Sequence, residues 1–147
     1  MTVPFTPAGY ASVTPYLVVS GASDLIEFAK QTFQATEMQR MSMPDGSLMH
    51  AEIRIGDSVI MLADASPVWP ALSAMLHVYV PDVDACYARA LAAGASTVRE
   101  PEDQFYGDRS ASVRDQSGIM WAIATHVEDV SPEETERRAQ AYAQQAG

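Results

Sequence analysis

In the stretch LMHAEIRIG, residues 48–56, His50, Glu52 and Arg54 alternate with Met49, Ala51, Ile53 and Ile55. Side chains two apart on a strand share a face, so one face of this segment is ionisable and the other apolar. A histidine that titrates near neutrality beside a carboxylate can move a proton, or give a nitrogen and an oxygen to a divalent ion. A second polar row lies in QFYGDRSASVRDQSGIMWAIATH, residues 104–126, where a Gly turn, alternating polarity, an Asp/Gly turn and an apolar run predict a β-hairpin. The question for both rows is whether they face water or a ligand.

The elements that must position these rows can be read along the chain. VTPYLVV (13–19) predicts a strand, followed by a helix that Ser23 caps, with Asp24 and Glu27 in its first turn and Leu25, Ala29 and Phe33 on its buried face. TEMQRMSM (36–43) predicts a strand ended by the turn residues Pro44, Asp45 and Gly46, then come the alternating strand 48–56 and VIMLADA (59–65). SPVWPAL (66–72) has two prolines and no periodicity and reads as a linker. The same order then returns. MLHVYVP (75–81) is a strand, Asp82 caps a helix with Val83, Cys86, Tyr87, Ala90 and Leu91 apolar, Gly94 stops it, and STVREPEDQF, RSASVRD and IMWAIATHV supply three further strands. Arg54 falls on Arg114 and DSVIML (57–62) on SGIMWA (117–122), an internal repeat offset by about sixty residues. Each half reads βαβββ and cannot bury both faces of its sheet alone, so modules must pair, within the chain or across a dimer. Beyond them, Ser131 and Glu134 form a capping box with Pro132 at the first helical position, predicting a C-terminal helix over 131–147.

Composition narrows the functions. The 147 residues carry nine Lys and Arg against nineteen Asp and Glu, a formal net charge of −10. That balance excludes phosphate-backbone binding and disfavours anionic membrane surfaces. The N-terminus MTVPFTPAGYASVTPYLVV lacks a basic start and holds three prolines, so neither a signal peptide nor a transmembrane span is expected, and the cytoplasm is the expected compartment. A single cysteine, Cys86, leaves no internal disulfide or thiolate-rich metal site and reads as an inert packing thiol.

The segments VTPYLVV, MHAEIRIGDSVIMLAD, LHVYVPDVDA and EDQFYGDRSASVRDQSGIMWAIATHVEDVSPEE resemble the vicinal oxygen chelate superfamily, the glyoxalase, bleomycin resistance protein and extradiol dioxygenase group, and more narrowly its PhnB-like branch. The resemblance implies an α+β fold in which two βαβββ modules (13–65 and 74–127) form half-open barrel sheets around a ligand cavity, as one domain over residues 10–130 with the helical tail outside it. It also implies a homodimer. His50, Glu52 and Arg54 would then line the concave face with Ser110, Ser112 and Arg114 in the same row of the second half, leaving these groups partly hydrated on a cavity wall.

Metal-using members of that superfamily place ligands on the first and last strands of each module, and by that spacing the four positions here are Thr14, Leu62, Met75 and Ala122. None is a credible ligand for a divalent ion. Lyase, isomerase or dioxygenase chemistry therefore does not carry over by name. The alternative is an enzyme of the same superfamily, either with a non-standard metal centre at His50, Glu52 and His77, with Asp64 also near the old positions, or with His50 and Glu52 themselves transferring a proton in lyase or isomerase chemistry. The resemblance otherwise implies a cofactor-free site for a small planar or aromatic molecule, with Tyr16, His77 and Tyr79 directed inward, Met120 as soft surface, His50 and Glu52 as polar anchor, and Trp69 and Tyr106 on loops at the cavity edge. Trp69 alternatively packs at the junction of the modules.

Overall fold

The computed structural model describes residues 2–146, and Gly147, the end of the predicted tail, lies outside the described residues. The chain divides into two compact units: residues up to Ala74 with Asp115–Ile119, and Met75–Arg114 with residues from Met120 onward. The first unit contains β1 (Tyr16–Val19), α1 (Ala22–Phe33), β2 (Thr36–Ser42), β3 (Leu48–Ile55) and β4 (Ser58–Asp64). The second contains β5 (Met75–Tyr79), α2 (Val83–Ala92), β6 (Ser96–Asp103), β7 (Asp108–Arg114), β8 (Met120–His126) and the C-terminal α3 (Pro132–Ala146).

The repeat expected from the sequence is present in the topology. One sheet has the order β1-β4-β3-β2 and the other β5-β8-β7-β6. In each, the first strand runs parallel to the last and the remaining pairs are antiparallel. Arg54 pairs with Thr36 at the end of one ladder and Arg114 with Ser96 at the same end of the other, so the arginines matched by sequence are matched in register.

Helices α1 and α2 each cover one face of their own sheet. Leu25, Ala29 and Phe33 are buried, joined by Ile26 and Phe28, against a sheet whose Ala51, Ile53 and Leu62 are fully enclosed. At roughly 1.5–3 kcal/mol for each large side chain removed from water, this layer supplies most of the unit's stability. Met49, at the open end of the row Met49, Ala51, Ile53 and Ile55, is 55% exposed rather than covered. In the second unit Val83, Cys86 and Ala90 of α2 are buried, while Leu91 and Tyr87 are not fully covered. Burial pushes the Cys86 thiol up in pKa, in keeping with a packing role.

The helix starts differ from expectation in one informative way. Asp82 caps α2 as predicted, accepting the Ala85 N–H at 3.1 Å. Ser23 does not cap α1, which begins two residues earlier than such a cap implies, at Ala22 behind Gly21 in the left-handed region (φ 85). The cap comes from Asp64 at the end of β4, whose Oδ1 accepts the N–H groups of Gly21 (3.1 Å) and Ala22 (2.9 Å) while Oδ2 accepts that of Leu48 (2.7 Å). Glu27 lies beyond the first turn and pairs with Lys30. Strand β1 starts at Tyr16 rather than Val13, because Pro15 has no N–H to give a ladder and contributes only its carbonyl, which accepts from Met61. At α3 the Ser131 hydroxyl accepts the Glu134 N–H, but the Glu134 carboxylate turns to Arg138 and Arg137. None of the helices is long and apolar enough to cross a membrane among the described residues.

Because one Asp64 carboxylate serves three backbone donors on two elements, Asp64→Ala is expected to destabilise the protein by about 1–3 kcal/mol, more than loss of an ordinary single cap. Urea unfolding checks this. A change below about 0.5 kcal/mol would show that water replaces the carboxylate without cost.

Candidate functional site

The site residues expected from sequence fall into two groups, one in each unit. In the first, β3 places His50 and Glu52 on one face, and Glu52 Oε2 lies 2.7 Å from His50 Nε2. The other ring nitrogen, Nδ1, lies 3.0 Å from the Tyr16 hydroxyl on β1, with the two rings 5.5 Å apart. The Tyr10 hydroxyl donates to Glu52 Oε1. Glu52 is only 6% exposed, so it is not the partly hydrated cavity-wall group expected from the sequence. The neighbouring residues do the work of water. His50 first and Tyr10 second hold the Glu52 carboxyl below the ordinary range, and the same bond to Glu52 pushes the Tyr10 phenol up. An ionised Glu52 fixes the proton of neutral His50 on Nε2, and Nδ1 then accepts from Tyr16. The four side chains form one network whose donors converge on Glu52, Tyr16 through His50 from one side and Tyr10 directly from the other.

Tyr10 was not among the residues the sequence singled out. It enters through a turn in which its N–H donates to the Pro7 carbonyl at 3.1 Å and Gly9 takes φ 85. A Cβ on Gly9 would stand 3.2 Å from Arg54 Nη2, so the loop packs close on that guanidinium. The one available signal was Pro-Ala-Gly, a turn directly before an aromatic residue.

The second unit has its own buried carboxylate. Asp108, 4% exposed at the start of β7, accepts the Tyr79 hydroxyl at 2.9 Å on Oδ2, and its Oδ1 lies 2.8 Å from His126 Nδ1. His126 Nε2 lies 2.7 Å from Asp129 Oδ1. With a carboxylate at each nitrogen both must donate, so the protonated ring is favoured and the His126 pKa is raised, by Asp108 first and Asp129 second. The Tyr79 phenol is also pushed up, by Asp108. His77 meets Tyr79 edge to face at 4.9 Å, and Met75 pairs in register with Met120 on β8. Tyr79 is 62% and Met75 59% exposed. Tyr106, in the turn before β7, packs edge to face on Phe105 at 5.2 Å. That turn is fixed by Gly107 (φ +100), where any Cβ would fall 2.2 Å from the Glu128 carbonyl oxygen. Asp108 and His126 escaped sequence reading although Asp108 is in register with Ser110 and Ser112 on an alternating strand. Those two serines are buried, and Ser110 accepts from Arg99. Trp69 is 68% exposed in the linker.

The superfamily's metal does not fit these residues. Leu62 and Ala122 are buried apolar strand positions, Met75 offers an exposed thioether, and Thr14 a lone hydroxyl. Among the described residues no three His, Cys, Asp or Glu side chains converge as a metal cluster. Within the first unit both nitrogens of His50 are engaged and Asp64 is occupied as the acceptor at the start of α1.

A twofold βαβββ repeat with this strand order defines the paired-module class of small α+β proteins. The family model described as Glyoxalase/Bleomycin resistance protein/Dioxygenase superfamily matches residues 10–123. The chain belongs to that superfamily. The uncharacterized protein Mb0911c of Mycobacterium bovis is 37% identical over 134 residues, covering 84% of this chain and 88% of that protein. The structure of the PhnB protein of Bacillus cereus shares the fold with a TM-score of 0.63 at 17% identity, covering 78% of this chain and 99% of that one. TnmS3, an antibiotic binding protein from Streptomyces sp. CB03234, has a TM-score of 0.61 at 19% identity, covering 86% and 98%.

The His126 pairing has a pH signature with a definite sign. A folded-state pKa above the unfolded value gives stability that is fully present below about pH 6.5 and is lost as pH rises through the raised folded value. The difference in melting temperature between the protein and its His126→Gln variant is therefore expected to be largest in mild acid and to narrow above neutrality. In Asp108→Asn the His126 ring resonances should titrate at lower pH by NMR, and an unmoved titration would remove Asp108 as the principal cause.

Proposed function

We propose that this protein binds a small planar or aromatic molecule without a metal ion at the superfamily's usual position. The observation that carries the reading is Tyr79. Its ring is largely exposed, yet its hydroxyl is tied to buried Asp108 and its edge is braced by His77. A ring fixed at its polar end and open on its face is prepared for stacking, and little side-chain freedom is left to lose when a guest arrives. Met75 and Met120 add polarizable surface at the other end of the same strand pair, and such surfaces adapt to guests of differing outline. Tyr16 with His50 presents a similar pair in the first unit. The antibiotic-binding relative in fold supports a small-molecule guest, and the residues at the superfamily's ligand positions support binding without metal.

A thermal-shift screen of planar aromatic antibiotics and quinones is expected to give stabilising compounds. Tyr79→Ala should then weaken the best of them by roughly 2- to 30-fold, the range of one aromatic or cation–π contact. Unchanged affinity in that variant, or a screen with no stabilising compound, would remove the reading. Protein purified without a polyhistidine tag is expected to carry only substoichiometric transition metal and to keep its melting temperature in chelator. One equivalent of zinc, iron, manganese or nickel, lost to chelator together with stability, would overturn the metal-free part.

A further inference from the structure

The chain Tyr10, Glu52, His50 and Tyr16 has more order than ligand anchoring requires. A buried carboxylate orients a histidine through one ring nitrogen, and the other nitrogen accepts from the hydroxyl of Tyr16, a residue 47% exposed. This is the carboxylate–imidazole–hydroxyl arrangement by which hydrolases activate a nucleophile, with a phenol in the place of an aliphatic alcohol. Tyr10 occupies the remaining carboxylate oxygen, so Glu52 has one direction left in which to act.

We infer that Tyr16, activated by His50 and Glu52, is a nucleophile toward activated aryl esters. The Tyr16 oxygen attacks the ester carbonyl carbon as its proton passes to His50 Nδ1. The bond from that carbon to the aryl oxygen breaks, and the aryloxide leaves with the bonding pair and takes the proton from His50. The products are an acyl-tyrosine and a phenol, and no oxidant, reductant or metal is consumed. Tyr16 is the catalytic residue in this step. His50 is the general base and acid of the step, and Glu52 is the positioning residue, which orients His50 and stabilises its charge. The inference does not depend on the guest bound at Tyr79.

The experiment uses 4-nitrophenyl acetate and reads acetylation at each tyrosine by peptide mass spectrometry. Tyr142, 57% exposed on α3, is the internal reference for an ordinary surface phenol. Tyr16 is expected to be acetylated at least about 10-fold faster than Tyr142, below the range usual for a positioned general base. His50→Gln and Glu52→Gln should bring Tyr16 down to the Tyr142 rate. The pH profile separates relay from packing. The groups that face the relay are Tyr10, Glu52, His50 and Tyr16, with Arg54 acting on Tyr10. With the relay intact the pH profile of the Tyr16 rate should differ in shape from that of Tyr142, and in His50→Gln the two profiles should coincide. Tyr16 reacting no faster than Tyr142 in the unaltered protein overturns the inference without recourse to any variant. A Tyr16 rate and profile unchanged in folded His50→Gln overturns it as well.

Discussion

Two of the three carboxylates buried among the described residues, Glu52 and Asp108, set the terms for the polar groups of the candidate site. An ionised side chain enclosed in a sheet is tolerated only when donors replace its hydration, since leaving it unpartnered costs several kcal/mol. Glu52 and Asp108 each solve the problem with a histidine and a tyrosine, and each draws partners from distant parts of its own unit. The networks are thus enforced by burial. A histidine or tyrosine that satisfies a buried acid is also held in one rotamer and one protonation pattern, so the structural remedy leaves behind an oriented reactive group.

The repeat shows how far fold and chemistry separate. Both units keep the same strand order and matching ladder ends, yet their polar centres sit on different strands. In the first, the carboxylate and histidine are neighbours two apart on β3. In the second, Asp108 opens β7 and His126 closes β8, eighteen residues away. The helix starts diverge likewise: α2 is capped by its own Asp82, whereas α1 takes its cap from the strand that ends the first sheet. Duplication of the backbone evidently constrains the apolar rows, which the sheets and helices need, and leaves the polar positions free to move.

This division explains what could be read from the sequence. The rows Leu25, Ala29, Phe33 and Ala51, Ile53, Ile55 repeat at the period of the element that carries them, so local pattern reveals both element and face. His50 and Glu52 were legible because a strand's two-residue period joins them. Asp64 as a cap and Tyr10 as a donor were not, since each acts on a residue about forty positions away, and only strand register or loop closure brings them together. Glu52 as a buried group was missed for the same reason: the residue that covers it lies in a proline-rich leader with no periodicity. Met49 and Leu91 fit their rows by type but stand where the facing layer has ended.

The C-terminal helix is attached by different means from the rest. No residue of α3 is buried. Arg138 holds it by donating to the Phe105 carbonyl and to both oxygens of Glu128, and Tyr142 lies 5.4 Å from the Phe105 ring. Attraction of that kind is screened over about 8 Å at physiological ionic strength, whereas apolar docking strengthens in many salts. The helix therefore behaves as an ionic latch on the turn that carries Phe105, Tyr106 and Gly107. Raised salt slackens the latch while tightening apolar packing, so the hold on α3 is set by the medium independently of the stability of the fold.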